Sequence, residues 1–141
     1  MTKTQNYNLN KPEATDPLRL ADFNGNADII DGALAGMVKL VTGSYVGTGT
    51  YGKDNPNSLT FPFAPKVVGI VVDADKQLRS GTILVNGQAE SSGICLASSG
   101  SNAFNLKLTW SDNSVSWYTT NSEAAFQLND SAYTYHYFAI G

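Results

Sequence analysis

Residues 59–72 read LTFPFAPKVVGIVV, and the way their apolar positions fall decides the fold. In the first half Leu59, Phe61 and Phe63 alternate with Ser58, Thr60 and Pro62, the two-residue period of a half-buried strand. In the second half Val67, Val68, Ile70, Val71 and Val72 load both faces of an extended run, so that strand needs apolar cover on each side. Pro65 marks the turn between them. Pro62 has no amide hydrogen to donate, which predicts a sheet edge for the first strand. One face of residues 67–72 is expected to lie on a sandwich core. The other is expected to meet a second copy of the chain, and Val68, Ile70 and Val72 are the interface positions assigned here.

On both sides of this stretch the same pattern continues from residue 42 onward. Strands are predicted at 44–51, 58–63, 66–73, 82–86, 93–97, 103–111, 114–119, 123–128 and 132–140. Turn residues separate them, at 53–57, Asn86-Gly87, 98–102, Asp112-Asn113 and Asn129-Asp130. Short strands at this spacing indicate a mainly β protein built on an antiparallel sandwich. Phe104, Leu106, Leu108 and Trp110 share one face, as do Val115, Trp117 and Thr119. In the last strand Tyr133, Tyr135 and Tyr137 face one way and Thr134, His136, Phe138 and Ile140 the other.

The pattern before residue 42 is different. Residues 1–16 are polar and aperiodic and read as an extended tail that is disordered alone or ordered on a partner. Asp16-Pro17 supplies a favourable helix cap and first residue. Leu20, Phe23, Ala27, Ile30, Leu34, Met37 and Val41 then recur at alternating spacings of three and four, the a/d seam of a coiled coil. A helical segment over 17–41 is expected, with a possible break at Asn24-Gly25-Asn26. Its seam is expected to pair with the same helix of other copies in a trimeric bundle.

Charge and composition narrow the function. The chain of 141 residues carries a net charge of −3, against the clustered Lys and Arg that phosphate neutralisation needs, so no nucleic-acid partner is expected. No apolar run approaches the roughly 20 residues of a membrane span, and the opening MTKTQNYNLNKPEATD is not a secretory signal. Synthesis in a cytoplasm and exit by a non-secretory route are expected. A single cysteine, Cys95, excludes an internal disulfide and reads as a small core residue. From Ser80 to Gly141 the only full charges are Glu90, Lys107, Asp112, Glu123 and Asp130, a surface suited to stable assemblies and neutral ligands.

Motifs for chemistry are weak. Gly47-Thr-Gly-Thr-Tyr-Gly52 matches the dinucleotide glycine pattern, but KDNPN and a strand follow it where a helix would have to hold the pyrophosphate. These glycines read instead as a strand crowded by neighbouring backbone, or a bulge. His136 is the only histidine and alternates with Phe138 and Ile140, so a base beside a nucleophile is lacking and no enzyme is expected. Asp73-Ala74-Asp75 does not assemble the six to eight or so oxygens calcium prefers, and no metal or cofactor is expected. Asn129-Asp130-Ser131 fits a glycosylation sequon, uninformative without a secretory route.

The positive signal is the Trp, Tyr, Ser, Asn and Thr content of residues 110–137, the set that binding surfaces favour. Trp110, Asp112, Asn113, Trp117, Tyr118, Asn121, Asn129, Tyr133 and Tyr135 are the ligand-binding candidates, and aromatic faces beside Asn and Asp suit sugars. Three stretches resemble phage tail-fibre or receptor-binding proteins: the opening YNLNKPEATDPLRLADFNGNADIIDGAL, the block GTGTYGKDNPNSLTFPFAPKVVGIVV and the ending YTYHYFAIG. The second block also resembles the start of the trimeric H-type lectin sandwich. The resemblance implies a homotrimer localised to the virion, attached to it through residues 1–16, whose distal sandwich adsorbs to a bacterial surface glycan. A purely structural virion component, such as a head fibre or decoration protein, is the alternative. A polysaccharide depolymerase would need a longer, repetitive chain.

Overall fold

A computed structural model describes residues 1–73, 79–97 and 100–141, with the backbone alone at 79, 94–97 and 100–101. The chain forms two units, Met1–Val38 and Lys39–Gly141. Three expectations fall outside the described residues: the packing of the Cys95 side chain, the hard-cation reading of Ala74 and Asp75, and the turn at 98–99.

In the first unit, polar residues satisfy one another and order the segment read as a bare tail. Strand β1 (Thr2–Lys3) pairs antiparallel with β2 (Asn10–Lys11). Helix α1 (Leu20–Ala35) is tied to this pair by Asn26 and by Asp22, whose Oδ1 accepts from Asn10 Nδ2 at 3.2 Å. The Asn10 amide donates to Asn26 Oδ1 at 2.6 Å, and Asn26 Nδ2 donates back to the Asn10 carbonyl at 2.9 Å. Asp16 does not cap the helix. Its carboxylate takes the Met1 ammonium at 2.8 Å and the Glu13 amide at 3.0 Å, and those contacts hold its pKa below the usual value. The helix therefore starts later, after Arg19, with no side-chain cap, and runs unbroken through Asn24-Gly25-Asn26.

The helix ends at Ala35, so the expected seam is shortened. Met37 lies beyond it, and Val41 belongs to the next strand, where it packs against the core of the second unit. Along α1 no residue is buried. Leu20 is 75% and Leu34 58% exposed, and Phe23 and Ile30 are exposed as well.

In the second unit eight strands form one antiparallel sheet. In chain order they are β3 (Leu40–Val46), β4 (Asn57–Thr60), β5 (Val67–Val72), β6 (Arg79–Val85), β7 (Glu90–Ala97), β8 (Gly100–Ser111), β9 (Ser114–Thr119) and β10 (Thr134–Ile140). Their order across the sheet is β3-β10-β5-β6-β7-β8-β9-β4. The halves β3-β10-β5-β6 and β7-β8-β9-β4 share one sandwich-like core, formed by Val68, Ile70, Leu84 and Tyr135 from the first and Leu106, Val115 and Trp117 from the second. Each such side chain contributes roughly 1.5–3 kcal/mol on full burial. As Pro62 predicts, β4 is an edge strand.

Burial resolves the double-sided valine run. Val68, Ile70 and Val72 point into the core, which removes them from any interface between copies. Val67, Gly69 and Val71 form the outward row, and Val71 is 53% exposed. Along the Tyr row of β10 only Tyr135 is fully buried; Tyr133 and Tyr137 pack against the core and stay partly exposed. The remaining expected strand, 123–128, is a 3₁₀ turn over Ala124–Gln127, closed by Leu128 in the left-handed conformation at φ 59°. Its apolar alternation imitates a strand because the turn drops Leu128 into the core while Phe126 packs against it.

Candidate functional site

The first and last strands of the sheet, β3 and β4, leave a gap between them, and the chain fills its floor with side chains. Tyr45 from β3 reaches towards Trp117 from β9, ring centroids 6.3 Å apart, and stacks on Tyr135 at 5.2 Å. The Tyr45 hydroxyl donates to the Leu128 carbonyl at 2.7 Å, and Trp117 Nε1 donates to the Gln127 carbonyl at 2.8 Å. Burial, and then the neighbouring Tyr135, pushes the Tyr45 phenol far above its ordinary pKa, against a smaller opposing hydrogen bond with Asn57. It remains a neutral hydroxyl.

Above this floor, residues 47–56 pass from β3 to β4, held by two buried amides. Gln127 Oε1 accepts from the Gly52 and Thr119 amides at 2.8 and 3.0 Å, while Nε2 donates to the Asn55 carbonyl and Asn57 Oδ1 at 2.7 and 3.1 Å. Asn129 Oδ1 accepts from the Thr48 amide at 3.0 Å, and Nδ2 donates to Thr48 Oγ1 and the Thr50 carbonyl at 2.7 and 2.8 Å. The glycine motif serves this loop rather than a strand. A Cβ at Gly47 would collide with the Asp130 carbonyl, and Gly49 takes φ +79°.

The result is a cleft of about 420 Å³, within the usual size of small-molecule sites. Hydroxyls and amides of Thr48, Thr50, Asn55, Asn57 and Ser58 rim it, beside an apolar strip of Val46, Pro56 and Leu59. No charged side chain lines it. Among the described residues no three His, Cys, Asp or Glu side chains come together as a metal site would require.

The nine sequence-derived ligand candidates do not converge. Trp117, 1% exposed, and Asn129, 3% exposed, line the cleft floor, and Tyr135 lies in the core beneath Tyr45. None of these three is a surface contact, because each is enclosed by its own fold. Asn129 has also donated both amide hydrogens internally, which closes the sequon. Trp110 is half-buried and donates to the Gln88 carbonyl at 3.0 Å. Asp112 and Asn113 are exposed at the β8–β9 turn, where Asn113 Nδ2 donates to the Phe61 carbonyl at 3.2 Å. Tyr118 is on the outward row of β9, opposite Lys107. Asn121 accepts from the Thr119 hydroxyl at 3.0 Å, and Tyr133 packs against the core. The rim residues were missed although a visible signal existed: ten residues rich in Gly and Thr between two strands exceed what a hairpin needs.

A second surface is the outward face of β3-β10-β5-β6. Leu40, Ile140, Val67 and Val85 lie in register across the four strands, and Thr42, Phe138, Gly69 and Ile83 form the next row. His136 belongs to this face, with Nε2 4.0 Å from Asp73 Oδ2. Between Val71, His136 and Phe138 lies a depression of about 450 Å³. Among the described residues no helix is long and apolar enough to cross a membrane. No protein-family model matches the chain, and no curated protein or solved structure shows significant similarity to it.

Proposed function

We propose that the chain is a homotrimeric virion fibre or receptor-binding protein, with residues 1–16 at the attachment end and the β unit adsorbing to a bacterial surface glycan. The observation that carries this reading is helix α1, which spans 16 residues and buries none of them. A helix of this length with two internal glycines is marginal alone. Its exposed Leu20, Phe23, Ile30 and Leu34 form the stripe that copies of the same helix would cover. The exposed Val71, Ile83 and Val85 on the outward face of the β unit give the same copies a second place to meet. Neutral, hydroxyl-rich surfaces suit glycan adsorption and offer nothing to phosphate backbones.

The test is sedimentation of the full chain, followed by its binding to host cells. A mass three times the 15.0 kDa chain and saturable cell binding support the reading. A monomer at micromolar concentration overturns it. The burial of Trp117, Asn129 and Tyr135 favours a second reading, a structural virion component without a ligand site. A trimer that binds neither cells nor saccharides would select that reading.

A further inference from the structure

We infer that the cleft between β3 and β4 binds an uncharged saccharide of one or two rings, an assignment that rests on the glycan-adsorption reading and gives it a location. Three observations point there. The rim is preorganised, because Gln127 and Asn129 spend their amide groups on shaping residues 47–57 and leave little ordering to be done on binding. The apolar strip of Val46, Pro56 and Leu59 matches the C–H face of a sugar ring. Around it, short polar groups stand where ring hydroxyls would project. The Ser58 hydroxyl makes no hydrogen bond among the described residues, and the Asn55 side chain has only a long one from Nδ2, 3.4 Å to the Tyr51 carbonyl.

The chemistry also excludes other ligands. A lining without Lys, Arg or His gives a phosphate or carboxylate no counter-charge. A flat aromatic ligand would want a free ring face, but Tyr45 stacks on Tyr135 and Trp117 is 1% exposed. An extended peptide could add to the free edge of β3 or β4 through its backbone, and it is the competing occupant that the test must separate.

The test uses the full chain against immobilised galactose, glucose, rhamnose and N-acetylgalactosamine, with sialic acid and glycerol phosphate as anionic controls. At least one neutral sugar is expected to bind and neither anion to do so. Ser58→Trp, which fills the cleft from an exposed edge position, and Thr50→Val, which removes only a hydroxyl, are each expected to weaken binding at least about tenfold with oligomer mass and melting temperature retained. Tyr118→Ala, on the outward row of β9, is expected to leave binding unchanged. Cell binding that survives both cleft variants overturns the location while leaving adsorption intact. Binding of the anions alone, or inhibition by peptides and not by sugars, overturns the ligand class. Absence of all binding removes the adsorption reading and this inference together.

Discussion

Gln127 uses the full hydrogen-bonding capacity of a primary amide, two acceptor pairs and two donors. Replacing it with Leu keeps the volume and strands the Gly52 and Thr119 amides and the Asn55 carbonyl. The expected loss is at least about 3 kcal/mol by urea denaturation, with the loop over residues 47–57 gaining amide exchange first. Gly47→Ala forces a methyl against the Asp130 carbonyl and is expected to cost about 1–3 kcal/mol. Gly25→Ala meets nothing within 4 Å and is expected to stabilise α1 by up to about 1 kcal/mol. Opposite signs for two Gly→Ala changes would be read in one set of melts. A Gly47→Ala change that does not destabilise would show that the loop is not held tightly against Asp130. The crowding of Gly47 by neighbouring backbone is foreshadowed in the sequence; the Gln127 network is not. Gln127 was assigned to a strand, and nothing in the letters announces that a glutamine will be drawn inside to serve a loop some 70 residues away.

At the scale of elements, pairing follows alternation closely wherever one face is buried, as in β8 and β9, whose predicted and observed limits nearly coincide. Failures occur where a competing local bond takes the signal. Asp16 offers a good cap, but the chain's own amino group claims it, so α1 begins at Leu20. The valine row of β5 was correctly read as apolar on both sides, yet which row faces inward depends on registry with β10 and β6, which no single strand encodes. Between β7 and β8, Lys107 donates to Glu90, and this, with Asn105, holds the Glu90 carboxyl below its ordinary pKa. A depressed acid contributes stability above its unfolded value and loses it as pH falls through the folded one. The pair is exposed, so Lys107→Met is expected to leave neutral-pH stability almost unchanged. The Glu90 pKa should rise towards its ordinary value in an NMR titration, and an unmoved titration would show that the contact is absent in solution.

For the whole molecule, the two uncovered apolar surfaces make separable predictions. If the proposed trimer forms, Leu34→Asp on α1 is expected to break it while the β unit keeps its melting transition. Val71→Asp on the outward sheet row is expected to weaken assembly with the core intact, since Val71 stands opposite the side on which Val68, Ile70 and Val72 pack. Sedimentation of both variants distinguishes association through the helices from association through the sheet faces. A pair of variants that both remain trimeric would rule out both surfaces. The binding cleft was illegible at this scale for a topological reason: its two walls, β3 and β4, become neighbours only because the sheet folds back on itself.

That topology also sets a timetable. Strand β10 lies between β3 and β5, yet it is the last strand of its sheet to be translated. Until residue 140 has emerged from the ribosome, β3 has no neighbour to pair with and the floor under Tyr45 lacks Tyr135. Half-made chains therefore lack a finished β unit, and a premature stop anywhere before Thr134 is expected to yield material that does not fold and is degraded.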